Sequence, residues 1–426
     1  MKKCFMLLLS TAMLNSATAQ KTFLQCGKML DVVSGKTKQS ITIIVEGKKI
    51  IDIKEGYVSG TGADKIIDLK NKTVLPGLID CHVHLEFQFS KSAIIDAVTE
   101  SDADIAFQSA VYAKRTLLEG FTTVRDLGGS GVNIALRNAI NKGEVIGPNI
   151  LTAGVALSAT GGHMDPSVGF RDDLFRQLPG PEQGVADGHD EVMKAVRFQF
   201  KKGADLIKIA STGGVLDLSK DGSGAQYSIE EIKTIVETAK DYGMRVACHA
   251  HGAEGIRRAI LGGVTSIEHG TFMNDEDIEL AKKYGTWYVP TIIAGKSVAD
   301  SAKIPGYFPA VIAKKAMEVG PQIQKTFGKA YKAGVKIAFG TDAGVYAHGK
   351  NYIEFQYMTE AGMPALEAIR AATLNASDLL GIKDERGSIE TGKMADIIAV
   401  DGDPLKDVKV FATVNFVMKE GVVYKQ

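Results

Sequence analysis

The chain of 426 residues carries 50 basic (Lys and Arg) and 50 acidic side chains, with 45% hydrophobic residues, 23% charged residues and 46 glycines. At roughly 100–200 residues per domain, this length holds one large catalytic-size domain and a smaller companion, and the composition excludes a disordered chain or a mini-protein. Balanced charge leaves no basic field for nucleic acid, and the glycines point to an α/β protein with short elements joined by tight turns.

At the N-terminus Lys2 and Lys3 precede the apolar stretch Cys4–Leu9, and Ala17-Thr18-Ala19 supplies the small-x-small pattern of a cleavable leader. A membrane anchor would need about 20 apolar residues, whereas Ser10, Thr11, Asn15 and Ser16 interrupt this one. The expectation is a signal peptide over residues 1–19, a mature protein that is secreted or periplasmic, and no membrane association after cleavage. Removal of a segment with two lysines and no acid leaves 48 basic and 50 acidic side chains, a formal charge of −2. Cys26, Cys81 and Cys248 then remain, an odd number that excludes a disulfide framework. Cys81 and Cys248 each precede a histidine in an apolar run, so they project to the opposite face from it and read as buried fillers.

From Thr22 to Leu69 the chain is a series of short β-type runs such as Ser40–Glu46 and Lys49–Ile53, and the same texture returns in Lys393–Val400 and Val408–Tyr424. Both ends are therefore expected to meet in one discontinuous β-sandwich domain, residues 20–75 and 384–426. Between them lie eight short apolar runs: Thr73–His84, Thr122–Leu127, Ile150–Leu157, Asp205–Ala210, Arg245–His251, Ser266–His269, Trp287–Ile293 and Lys336–Asp342. Helical stretches fit the gaps. One opens on the capping-box pattern Ser228-Ile-Glu-Glu231 and another on Met363-Pro364. Eight such units over residues 76–383 predict a (β/α)8 barrel of the TIM type. No repeat of 20–50 residues suggests a solenoid or propeller.

Several runs end in a metal-competent side chain, and the C-terminal ends of barrel strands converge on one mouth. His82 and His84 are two apart on a strand and point the same way, so both imidazoles can reach one ion. Lys208 sits in an otherwise apolar run. Burial there would depress its pKa, and a neutral amine can add carbon dioxide to form a carbamate; the alternative is a buried lysine paired with a carboxylate. The fifth run ends in His249 and His251, the sixth in His269 and the eighth in Asp342. Five strands delivering such groups to one rim argue for a metal site.

Leu75-Pro-Gly-Leu-Ile-Asp-Cys-His-Val-His84, the strand lysine, the later strand histidines, Gly340-Thr-Asp-Ala-Gly344 and Gly392-Lys-Met-Ala-Asp-Ile397 together resemble the amidohydrolase superfamily across essentially the whole mature chain. Thr122–Gly129, Thr160-Gly-Gly-His-Met-Asp165 and Ala250-His-Gly252 are similar to its prolidase-like branch, which cleaves Xaa-Pro, Xaa-Arg and related C-terminal amide bonds and includes ochratoxin-hydrolysing amidases. The resemblance implies two divalent ions per chain. Zinc suits the imidazole and carboxylate donors, and manganese or cobalt would also be accepted. His82, His84 and Asp342 would bind the more buried ion and His249 and His269 the other, with N6-carboxylated Lys208 and a hydroxide bridging. Asp342 would take the proton and pass it to the leaving amine.

For the substrate's terminal carboxylate Tyr227 is the leading candidate, with a structural tyrosine at the start of a helix as the alternative; His163, His251 and His348 are further candidates, and His189 reads as a surface residue. The resulting expectation is a secreted metal-dependent peptidase or amidase acting on dipeptides or N-acyl amino acids. An imidazolonepropionase-like cyclic-amide hydrolase and a non-catalytic binding protein on the same scaffold are the alternatives. The bridging lysine argues against the first and the complete ligand set against the second. Homo-oligomer formation stays open.

Overall fold

The first β runs become four strands, β1 (Lys21–Asp31), β2 (Lys36–Glu46), β3 (Lys49–Glu55) and β4 (Lys65–Pro76), in the computed structural model, which describes residues 20–219 and 222–426. The expected leader, residues 1–19, lies outside the described residues. The middle of the chain supplies β5 (Leu78–Val83), β6 (Phe121–Asp126), β7 (Asn149–Thr152), β8 (Ile207–Ala210), β9 (Val246–Ala250), β10 (Ser266–His269) and β11 (Trp287–Val289). The C-terminus then adds β12 (Ile397–Val400), β13 (Val414–Lys419) and β14 (Val422–Lys425).

The two chain ends share one seven-stranded mixed sheet of order β14-β13-β12-β4-β1-β2-β3. β12 runs antiparallel to β4, with Ile398 opposite Leu75, and β4 runs parallel to β1, with Ile67 opposite Leu24. Leu24, Ile43, Ile67, Val74, Ile397 and Phe416 fill its core, so residues more than 300 positions apart share one apolar interior. Pairing runs through all seven strands without a break, so the expected sandwich is one hydrogen-bonded sheet.

In the middle, β5-β6-β7 form one parallel sheet and β8-β9-β10-β11 another. Parallel bridges Leu157–Ile209, Tyr288–Ile337 and Val83–Ala343 join their ends, so the eight runs follow one another in cyclic order. Every residue of β5, β6, β8, β9 and β10 is buried, as parallel strands covered on both faces require. Amphipathic helices such as Gly188–Lys202, Ile229–Asp241 and Ala253–Gly262 pack between and outside them. The capping box at Ser228 and Glu231 forms as its spacing predicts.

Four runs depart from the sequence pattern. The first is split at Gly77, where a Cβ would lie 2.2 Å from Thr122 Oγ1, and the chain passes there from the terminal sheet into the central strands. The third pairs as a strand only to Thr152. The seventh stops at Val289, because Ile292 and Ile293 open the helix Ile292–Ala302, with both their N–H groups donating to the Glu354 carboxylate. The eighth stays irregular between its two bridges and reaches φ 60° at Asp342. Near the C-terminus Val408–Ala412 is a 3-10 turn rather than a strand, because the Asp407 side chain accepts the Lys409 N–H.

Candidate active site

The strand ends bring His82, His84, Lys208, His249, His269 and Asp342 to the floor of one cleft of about 1470 Å³. One oxygen of Asp342, Oδ1, lies 3.5 Å from His82 Nε2 and 3.3 Å from His84 Nε2, and the three residues can offer ligand atoms within 4.8 Å of one another. Lys208 Nζ stands 3.4 Å from His82 Nε2. The ring of His269 is 4.9 Å from that of His82 and 4.6 Å from that of His249.

This donor set fits divalent metal. Each imidazole has one nitrogen committed: His82 Nδ1 to Glu268 Oε2 (3.0 Å), His84 Nδ1 to the Gly128 carbonyl (2.7 Å), His249 Nε2 to the Gly213 carbonyl (3.1 Å) and His269 Nδ1 to Thr291 Oγ1 (2.8 Å). The carboxylate and carbonyl acceptors fix the tautomers of His82, His84 and His249, and all four contacts orient the rings, as in metal sites generally. Among the described residues Asp342 Oδ1 is buried without a hydrogen-bond partner, an arrangement that leaves its charge to be met by a cation.

Burial, and then the charge of Lys208, push the pKa of His82 well below the ordinary histidine value and that of His84 down to about 3. His249 and His269 are also depressed, first by burial and then by neighbouring histidines. The direction in all four favours the neutral imidazole, the form a metal requires. Burial raises the Asp342 carboxyl, opposed by the charge of Lys208, and lowers the Lys208 amine, opposed by the charges of Glu268 and then Asp342.

A model of the amidohydrolase family matches residues 73–424. The chain belongs to the amidohydrolase family. It is 35% identical over 395 residues to an ochratoxinase of Aspergillus niger, across 88% of this chain and 79% of that protein. A solved Xaa-Pro dipeptidase with methionine bound in its active site shares 49% identity and a TM-score of 0.93, over 96% of this chain and 100% of that one. A prolidase complexed with N-methylphosphonate-L-proline shares 31% identity and a TM-score of 0.86, over 96% and 100% of the two chains. These relatives make the amidohydrolase a hydrolytic enzyme of the prolidase-like branch.

Two of the expected substrate contacts line the cleft of this amidohydrolase, His163 and His251. His251 Nδ1 meets Thr271 Oγ1 at 2.8 Å, and its ring is 4.8 Å from that of His249. Tyr227 does not line the cleft. Its ring is fully buried in the apolar core and its hydroxyl donates to the Ala186 carbonyl at 3.2 Å, because the loop before the helix Ile229–Asp241 turns it inward. His348 is also outside the lining: Nε2 meets the Phe87 carbonyl at 3.0 Å and the ring stacks on Tyr112. His189 is exposed beside Asp190. Cys81 and Cys248 are buried free thiols.

The supporting partners are not legible as motifs. Glu268, which orients His82, is held by Arg125 Nη2 at 2.8 Å, while Arg125 Nε donates to the Cys81 carbonyl. Asp80 accepts from the His82 and Thr341 backbones and from the Thr341 and Asn351 side chains, tying the first strand to the Asp342 turn. Alternation flags Glu268 and Asp80 only as polar positions in apolar strands. Arg125 and Glu268 are almost fully buried, so Arg125→Met, which removes the guanidinium paired with Glu268, is expected to cost about 3–5 kcal/mol of stability. Guanidinium unfolding of the metal-stripped protein measures it, and an unchanged midpoint would show that the pair contributes nothing.

Proposed function

We propose that this amidohydrolase is an exported enzyme that holds two divalent ions, best matched by zinc, and cleaves the amide bond to a C-terminal amino acid in dipeptides or N-acyl amino acids, ochratoxin-type amides included. The observation that carries the reading is the convergence of four oriented imidazoles, one lysine and one unpartnered carboxylate oxygen on a single cleft floor. His82, His84 and Asp342 would hold one ion and His249 and His269 the other, with Lys208, carboxylated on its amine, supplying a further donor. Bound ions would polarise the scissile carbonyl and make a water acidic near neutral pH. The Asp342 carboxylate takes a proton from the attacking water and delivers it to the amine nitrogen as the C–N bond breaks.

In the same reading residues 76–383 close as a (β/α)8 barrel, since the three bridges link neighbouring runs all the way round. Residues 20–75 and 384–426 form the companion domain, and residues 1–19 direct export. The dipeptidase and prolidase relatives support an amino acid as leaving group, and the ochratoxinase supports tolerance of an N-acyl partner.

A library of dipeptides and N-acyl amino acids, offered to metal-reconstituted protein with the released amino acid as readout, tests the function; no release from any member would refute it. Elemental analysis should give about two divalent ions per chain, because six donors exceed the four of one tetrahedral zinc. Full activity at one ion per chain or fewer would refute the binuclear site.

A further inference from the structure

Lys315, on the helix Ala310–Lys332, has no part in the site as described, yet it is only 5% exposed. Its Nζ donates to Asp217 Oδ1 (2.9 Å), to the Asp217 carbonyl (3.0 Å) and to the Ser219 carbonyl (3.0 Å). An ammonium has three donors, and all three are spent on one short loop. A buried charge is costly unless it is paired and hydrogen-bonded, so the pairing has to be matched in full, and it is. Asp217 Oδ1 also accepts from the Ser219 N–H at 2.9 Å and from its hydroxyl, while Oδ2 bonds Nδ1 of His163. Although burial acts the other way, these contacts with His163, Ser219 and Lys315 hold the Asp217 carboxyl well below the usual range.

His163 comes from a different loop, the one after β7, and its backbone N–H donates to Gln226 Oε1 at 2.9 Å. Its ring lies against the backbone of Gly214, where a Cβ would stand 2.1–2.3 Å from Cε1, Nδ1 and Nε2. Its centroid is 4.3 Å from that of His249. With Nδ1 taken by Asp217, Nε2 is the nitrogen available to the cleft that His163 lines. A helix, a glycine loop and a histidine loop thus meet at one imidazole.

We propose that Asp217 and Lys315 are positioning residues that clamp His163 against the metal-competent cluster, so that its Nε2 contacts the amide group undergoing hydrolysis. The proposal rests on the amide-hydrolase reading of the site. A carboxylate that orients an imidazole is how acyl-transfer sites keep that ring in one tautomer and direction. Lys315 extends the arrangement by one link, fixing the carboxylate itself. A ring already fixed loses no rotational freedom when the transition state forms, and the gain falls on the chemical step.

The metal-loaded enzyme carrying Asp217→Asn, an isosteric change without the charge, is expected to keep its metal content and lose about 10–100-fold in kcat, the range for outer partners of site residues, with KM nearly unchanged. Proton NMR of protein labelled with 15N-histidine supplies a readout independent of turnover. The chain has eight histidines, and the His163 Nδ1 proton should appear far downfield in the parent protein, disappear in Asp217→Asn and be assigned by its absence in His163→Asn. Either single change leaves the other's buried charge unpaired, so the double variant Asp217→Asn with Lys315→Met removes both; it should fold at least as well as Asp217→Asn and lose no more kcat. Adding Asp217→Asn to His163→Asn should change nothing further, since residues acting as one unit are non-additive. Retention of parental kcat by Asp217→Asn, persistence of the downfield proton in it, or full additivity with His163→Asn would each overturn the proposal. If the parent protein hydrolyses no member of the amide library, the functional reading fails and the proposal's claim on the amide group falls with it, while the NMR signal still decides whether the clamp exists.

Discussion

Asp342→Asn is expected to fold, to keep much of its metal and to lose about 10²–10⁴-fold in kcat/KM, the usual worth of general acid–base catalysis. The backbone at this position has φ 60°, a left-handed conformation that Asn adopts as readily as Asp, so the substitution leaves the turn unstrained. It also keeps one carbonyl oxygen for coordination. What it removes is the charge and basicity of the carboxylate, whose Oδ1 faces His82 Nε2 and His84 Nε2 and has no hydrogen-bond partner among the described residues. Steady-state kinetics with elemental analysis of the same sample measures the effect. A loss below about tenfold with metals retained would move the proton-transfer role to another group, and His251 and His163, both on the cleft wall, would be replaced next.

Lys208→Ala is expected to lower turnover by more than about 10²-fold, beyond the loss typical of removing even an outer partner of a metal ligand. The side chain is fully buried in β8, and burial depresses its amine toward the neutral form that reacts with carbon dioxide. Its Nζ lies 3.4 Å from His82 Nε2, so a carbamate there would stand among the other donors. Truncation to Ala opens space at the floor of the cleft, and added acetate or propionate should restore part of the activity by placing a carboxylate in that space. Normal turnover and metal content in Lys208→Ala would show a lysine that only neutralises its carboxylate neighbours. Loss of activity without rescue, together with loss of one ion, would leave the lysine essential but argue against the carbamate.

The donors on the cleft floor were legible because strand chemistry is local. A histidine pair two residues apart must share one face, and an isolated lysine or aspartate stands out at the end of an apolar run. The order of the runs, the return of both chain ends to one β unit and the helix start at Ser228 could likewise be read from period, polarity and capping pattern. Tyr227 and His348 lie away from the cleft lining for the complementary reason. A side chain in a loop has no period, and only packing turned Tyr227 to Ala186 and His348 to Phe87 and Tyr112.

The partners that orient the site escaped for a related reason. Arg125 is 143 positions from Glu268, Asp80 is 271 from Asn351 and Asp217 is 98 from Lys315. No local pattern marks a pair so far apart. What the sequence determined by itself was the set of donors and the elements that carry them, since burial and alternation act within one strand. Which nitrogen of each imidazole stays free, which carboxylate stays unpartnered and which buried cation holds which loop were decided only when distant segments closed on one another, because hydrogen-bond partners are chosen by tertiary distance rather than by spacing along the chain.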